Sequence, residues 1–355
     1  MNYFFLKIKI ILCVSVSVAA YNYRPFYEKN NFVLLKNSEF VIRSFAINVP
    51  GFPLAYNPSF IKNDDGYDLI FRYDPFYNKD RTIVNCFLGC VRLDKFFNPT
   101  ETPILLDTGN FDSEDPRIFS TKEAVYISYV RVTDWSPIVK CDMCCSSFDT
   151  LNKRIVNSVP LRYSKGDLEK NWIPFVVNHN DKEDEIYFVY KYLPHRILKL
   201  TSIEDGIIEV VYNNEGEFSA LKKWEEKWGK IRGGTPAILV GDEYLSFFHS
   251  SFKHKDEYYY VMGVITFENK PPFRIKKLSK TPIIFNDMYS IKVTKDAWFY
   301  GKRPPMSVIF PAGIAVGNEN KKDVFYVVCG ENDVGIRCVV IDRKTLLSSL
   351  ELIGE

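Results

Sequence analysis

The sequence predicts an all-β chain folded as a five-bladed β-propeller, and three observations carry that expectation. Five segments repeat one grammar: polar residues, a proline, an apolar strand, a polar turn, then an aromatic-rich strand. Their prolines, Pro58, Pro116, Pro174, Pro236 and Pro311, fall 58, 58, 62 and 75 residues apart. Aromatic residues make up 15% of the 355-residue chain, which favours strands, whereas helical periodicity shows in one stretch alone. A pair of packed β-sheets is the alternative architecture, but five in-phase repeats fit blades around an axis better.

The elements follow in order. Residues 1–20 carry two lysines, no acid and an apolar run from Ile10 to Ala20, with small residues Val18-Ala19-Ala20 before a polar stretch. The run is about half the roughly 20 residues of a spanning helix, so it reads as a cleaved signal peptide, with an uncleaved anchor as the rival. The expected domain layout is that signal followed by one propeller over residues 21–355, secreted or lumenal, with no integral membrane segment after cleavage. The repeats open at Tyr56-Asn57-Pro58, Glu114-Asp115-Pro116-Arg117, Asn171-Trp172-Ile173-Pro174, Gly234-Thr235-Pro236 and Phe310-Pro311-Ala312. Their second strands read as Tyr67–Tyr73, Ala124–Arg131, Glu185–Tyr192, Glu243–Ser250 and Asp323–Gly330. Proline is tolerated at a strand's first position, where no ladder donor is needed. One helix is expected from Glu217 to Trp228, with Leu221, Trp224 and Trp228 on its buried face.

Charge and cysteine use narrow the function. Without residues 1–20 the basic and acidic residues balance at 44 each, and no polybasic run offers a footprint for nucleic acid. Seven cysteines remain, so at least one is a free or intermolecular thiol. Cys329 and Cys338 flank a hairpin turn and could lie opposite each other. Cys141, Cys144 and Cys145 lack a second ligand pair for zinc and read as structural thiols. His249 and His254, five apart on a strand, point to opposite faces, so no metal site is expected. Dinucleotide, Walker, zincin and esterase motifs do not occur.

Equivalent positions of successive blades ring the axis. One ring holds Asn57, Asp115, Asn171 with Trp172, and Thr235 with Arg232 nearby. A second holds Arg72 and Tyr73, Arg131, Tyr190 with His195 and Arg196, His249 and Asp333. Together they would place an acid, several cations and aromatic rings in one central pocket, which glycosidic bond cleavage requires. Blander readings stand beside this: Asp-Pro opens turns, His195 and His249 could be core or surface histidines, and Arg232 could be a solvated loop charge.

At these residues the chain resembles the mannoside phosphorylases of glycoside hydrolase family 130, which are five-bladed propellers. The matching strings are Glu114-Asp115-Pro116-Arg117, Lys170-Asn171-Trp172 with Pro174, Pro194-His195-Arg196, Arg232-Gly233-Gly234-Thr235-Pro236, Phe248-His249, Phe310-Pro311-Ala312-Gly313 and Gly330 with Asp333. The resemblance implies an inverting enzyme on β-mannosides in which Asp115 donates the proton, relayed through a sugar hydroxyl. It implies inorganic phosphate as co-substrate, no other cofactor, and an oligosaccharide or glycan partner. Arg131, His195, Arg196, Arg232 and His249 are the phosphate candidates; Asn57, Arg72, Asn171, Trp172 and Asp333 are the sugar candidates. Two strings depart from the family: Lys170-Asn171 stands where many members have Lys-Asp, and Cys329-Gly330 where an aromatic-Gly pair is usual. Export is at odds with phosphorolysis, since sugar phosphate made outside the cell is lost; hydrolysis or mannosyl transfer avoids that. A non-catalytic carbohydrate-binding propeller is the remaining alternative, and it would need neither the acid nor the cations.

Overall fold

A computed structural model describes residues 23–28, 31–77, 84–110, 112–135, 139–163, 168–216, 218–297, 299–301 and 306–353. The expected signal peptide over residues 1–20 lies outside the described residues. Strand takes up 59% of the described residues and helix 6%, which rules out a parallel sheet flanked by helices.

Apart from the hairpin of Tyr23–Glu28 and Asn31–Lys36, the strands group into five antiparallel units, the last two joined by a short parallel pairing of Tyr258–Tyr260 with Met306–Val308. Blade 1 runs Tyr56–Lys62, Gly66–Tyr77, Val84–Asp94, Ile104–Leu106, and blade 2 runs Ser113–Ser120, Val125–Asp134, Lys140–Asp149, Arg154–Pro160. Blade 3 runs Ile173–Val177, Glu185–Tyr192, His195–Ser202, Ile207–Asn214. In blade 4 the short strands Lys230–Arg232 and Ile238–Val240 both pair with Glu243–His254, which continues to Glu257–Glu268 and Ile275–Leu278. Blade 5 runs Met306–Glu319, Lys322–Glu331, Gly335–Asp342, and its outer strand comes from the other end of the chain, Val41–Ile47. No repeat in the sequence announced that closing strand. The first strands of blades 1, 2, 3 and 5 touch one another and surround the axis.

Core residues fill the spaces between blades. Ile118, Ile127, Tyr129 and Cys144 of blade 2 meet Leu88, Cys90 and Leu106 of blade 1, while blade 2's opposite face meets blade 3 through Val130, Met143, Trp172 and Phe188. Each blade is therefore apolar on both faces, unlike a half-solvated sheet. The helix Ser219–Trp228 buries Leu221, Trp224 and Trp228 as expected and packs on blade 4, where Trp224 donates to Ser250 Oγ at 3.0 Å. All seven described cysteines are free and buried. Cys338 is registered with Val328, whereas Cys329 is registered with Arg337, so pleat parity points the two thiols to opposite faces. No group of three or more metal-ligating side chains occurs, and no helix is long and apolar enough to cross a membrane, among the described residues.

Candidate active site

The axial site is built on breaks in the inner strands. Register shifts separate Tyr56 from Ser59 and Glu114 from Arg117, and at these bulges Asn57 and Asp115 adopt positive φ of 45° and 50°. Asn and Asp tolerate that region, and a bulge re-aims a side chain out of the alternation. The result is direct: Asn57 Nδ2 donates to Asp115 Oδ1 at 2.7 Å, joining blades 1 and 2 at the axis. Gly330 of blade 5 makes room, since a Cβ there would lie 1.9 Å from Asn57 Oδ1.

Arg72 stands behind this pair. Its Nε donates to Asp74 Oδ1 at 3.0 Å, its Nη2 lies 2.8 Å from Glu114 Oε1, and its Nη1 lies 3.4 Å from Asp115 Oδ1. The Tyr56 hydroxyl donates to Asp74, and Asp333, on the blade 5 turn, is close enough to raise the Tyr56 phenol further beyond the effect of burial. Burial alone would raise Asp115, but Arg72, Arg117, the Asn57 amide and Lys170 hold it below the usual carboxylate range.

A second, cationic flank meets Asp115 from blades 2 and 4. Arg117, fully buried, donates from Nε to Gly234 O at 2.9 Å and from Nη1 to the carbonyl of Asp115. Its guanidinium lies over the Phe310 ring at 5.3 Å, and the His249 ring lies 4.5 Å from the same ring. Arg232 is registered directly opposite His249. Burial, with Arg232 and Arg117 adding like charge, pushes His249 down to about 3 against the opposing pull of Asp115, so the imidazole is neutral. Two buried nitrogens on this flank, Arg117 Nη2 and His249 Nδ1, have no hydrogen-bond partner among the described residues. A buried donor or acceptor left unmade is costly, and such atoms mark where a ligand group fits.

The structure thus brings together Asn57, Arg72, Asp115, Arg232 and His249, with Asp333 at the Tyr56 edge. Asn171 is half-buried with positive φ of 64°, and its carbonyl crowds Gly233, so it shapes the loop bearing Arg232. Four expectations are corrected. Arg131 pairs with Asp142 at 2.7 Å instead of facing Asp115. Arg72 is registered with Tyr56, the residue before Asn57, but the residue before Asp115 is registered with Val130; Arg131 is one step out of phase and points to the other face. His195 and Arg196 sit on a third strand, about 10 Å out from the first at the usual strand spacing. His195, with no exposed surface, bonds Phe273 O through Nε2 at 2.9 Å, and burial holds it at about 4. Arg196 donates to Asn213 Oδ1 at 2.9 Å and the Tyr163 hydroxyl at 3.0 Å. Trp172 is 1% exposed, donates to Glu169 and packs on Tyr163, Phe188 and Tyr190, so it is core and offers no stacking face.

Glu114, Arg117, Asp74, Cys86 and Lys170 were not singled out as site residues in the sequence. Glu114 and Arg117 lie in the same string as Asp115; the bulge is what turns all three toward one place.

Comparison with known proteins agrees with this fold. Residues 40–351 match the family described as beta-1,4-mannooligosaccharide phosphorylase. The chain belongs to glycoside hydrolase family 130. It is accordingly a carbohydrate-active enzyme of the glycoside phosphorylase and hydrolase type. A family 130 structure, from work finding that these mannoside phosphorylases include glycoside hydrolases targeting β-1,2 mannosidic linkages in Candida mannan, superposes with a TM-score of 0.55. It is 14% identical and covers 90% of this chain and 97% of its own. A glycoside hydrolase fold from Parabacteroides distasonis gives 0.56 at 12% identity, over 91% and 97%. A GDP-Man-dependent mannosyltransferase from Leishmania mexicana gives 0.51 at 12% identity, over 86% and 91%. At these identities the likeness to each is one of fold. Beta-mannosyltransferase 2 of Komagataella phaffii is 33% identical over 76 residues, which span 21% of this chain and 10% of that relative.

Proposed function

We propose that this enzyme moves a mannosyl group between phosphate and a β-mannoside, by phosphorolysis or its reverse, with inversion at the anomeric carbon. The observation that carries the reading is the pair of partnerless buried nitrogens, Arg117 Nη2 and His249 Nδ1, beside Arg232 and across from Asp115. An inverting hydrolase needs a second carboxylate roughly 6.5–9.5 Å from the acid to activate water. The carboxylates beside Asp115, Asp74 and Glu114, both pair with Arg72, whereas the charged groups that bear on His249 besides Asp115 are two guanidiniums, which suit an anionic nucleophile instead. Neutral His249 then serves as a hydrogen-bond partner, not a charge. In cleavage Asp115 first takes a proton from the incoming dihydrogen phosphate; a phosphate oxygen then bonds to the anomeric carbon, the glycosidic bond breaks, and Asp115 passes that proton to the departing oxygen through a sugar hydroxyl, as the family resemblance implies. Asp115 is ionised at rest, which is the form that takes the acceptor's proton in synthesis from mannose 1-phosphate. Asn57 and Arg72 hold it in place, and Asn171 and Asp333 border the sugar. Phosphate is a co-substrate here and no other cofactor is invoked. We also propose export to a lumen or the exterior, from residues 1–20.

A second reading is transfer from another mannosyl donor to a glycan, favoured by the 76-residue likeness to a β-mannosyltransferase. The deciding experiment incubates purified protein with β-mannooligosaccharides, with and without phosphate, and separates mannose 1-phosphate from free mannose. Phosphate-dependent mannose 1-phosphate supports the proposal; equal cleavage without phosphate refutes it. Asp115→Asn should lower turnover about 10²–10⁴-fold while still binding sugar.

A further inference from the structure

One buried guanidinium, Arg72, faces three carboxylates: Asp74 and Asp115 are buried and Glu114 is partly buried. Asp74 grips it at two nitrogens, Glu114 meets Nη2 and Asp115 meets Nη1. The other cations are unevenly shared: Arg117 bears on Asp115, and the exposed Lys170 bears on both Asp115 and Glu114. Donors are unevenly shared too. Asp115 also receives the Asn57 amide and Asp74 the Tyr56 hydroxyl, while Glu114 has the Cys86 thiol at 3.4 Å, a weak donor. With Arg117 turned to Asp115 and Lys170 out in solvent, ionising all three carboxylates would leave one of them poorly compensated beside the buried guanidinium, and a partly buried carboxylate so placed is pushed toward its neutral form. The carboxylate with the poorest donors is the one to do so. Burial raises Glu114, and the neighbouring charges of Asp115 and Asp74 add to it against Arg72 and Lys170.

We propose that Glu114 carries a proton in the resting enzyme at neutral pH and acts as a positioning residue, its neutral carboxyl leaving the charge of Arg72 to Asp115 and Asp74. The proton sits on Oε2, since Oε1 faces Arg72 and Cys86. Two neighbouring carboxyls thus divide the work: one stores a proton, the other stays charged for the acceptor hydroxyl. The kinetic part rests on Asp115 as the proton-handling group; the spectroscopic part does not.

The test is infrared titration of protein labelled with carboxyl-¹³C glutamate, which reads the carbonyl stretch of a protonated acid without substrate. A labelled acid band should be present in the wild type at neutral pH and absent from Glu114→Gln. In Asp115→Asn, with one like charge removed, the band should disappear at lower pH than in the wild type. The pH profile of kcat/KM should lose its upper ionisation in Glu114→Gln, a change that mere loosening of the site would not produce. No glutamate acid band at neutral pH in the wild type, or a band that survives Glu114→Gln, overturns the proposal whatever reaction the enzyme catalyses.

Discussion

Gly330→Ala should disable the site without touching any group that reacts. The added Cβ would sit 1.9 Å from Asn57 Oδ1, 2.8 Å from its backbone nitrogen and 3.0 Å from Cγ. Ordinary contact begins at 3.4 Å, so the Asn57 amide must retreat by roughly 1.5 Å, more than the 2.7 Å bond to Asp115 can absorb. A misplacement of about 1 Å at a reacting group costs about 10²-fold in rate, or about 2.7 kcal/mol of barrier. Overpacking adds about 1–3 kcal/mol of lost stability. The assay is a double-mutant cycle on turnover with Asn57→Ala, which itself removes a hydrogen bond to a charged carboxylate worth about 1.5–3 kcal/mol. Because Asn57→Ala deletes Oδ1 and Cγ but leaves the backbone nitrogen that the new methyl group also meets, the double variant should lose clearly less than the sum of the two single losses, giving negative coupling. Additive losses, or a wild-type rate in Gly330→Ala with the Asn57 amide unmoved, would show that this contact does not position Asp115.

The corrected residues make further predictions. Arg131→Ala should leave phosphate KM unchanged and cost at most about 1 kcal/mol in denaturant titration, because its pair with Asp142 is partly exposed. Arg232→Ala should raise phosphate KM, and an equal effect from Arg131→Ala would contradict the assignment of flanks. His195 and His249 are held neutral at about 4 and about 3, against about 6.5 unfolded. The unfolded chain therefore binds more protons between those values, so the stability they contribute is complete above about pH 6.5 and is lost as pH falls toward 4 and then 3. Each should steepen that loss by up to about 1.4 kcal/mol per pH unit, read from thermal melts across the range. His195→Gln should flatten one part of the slope with phosphate KM unaltered.

Period and pattern were enough to read the blades, because a proline, a strand and an aromatic strand recur in phase. Asn57 and Asp115 were legible for the same reason: each stands immediately before a repeat proline. Position beyond the first strand was less so. Arg131 failed by a single residue of register that the spacing already carried: it lies 15 residues after Pro116, whereas Arg72 lies 14 after Pro58, and the two blades share the same bulge. His195 and Arg196 failed on distance from the axis, which a linear sequence does not contain. Trp172 failed because an aromatic beside polar residues reads alike whether it faces a sugar or Phe188. Arg117 was hidden by its charge, since a guanidinium with no exposed surface is rare enough to be assigned to solvent by default. Its partners, the carbonyls of Gly234 and Asp115, belong to two different blades.

The strand that completes blade 5 is made before any of the five blades and used last. Val41–Ile47 leaves the ribosome nearly 300 residues ahead of its partner Gly335–Asp342. At about 5–20 residues per second, the early strand waits tens of seconds with a bare hydrogen-bonding edge. Its exposed Arg43 is the kind of edge charge that discourages pairing with other chains meanwhile. Ring closure then turns a row of independently growing blades into a single cooperative object. The pocket around Asp115 and Asn57 is consequently complete only once Phe310 and Gly330 of blade 5 arrive, about 200 residues after Asp115 in the chain.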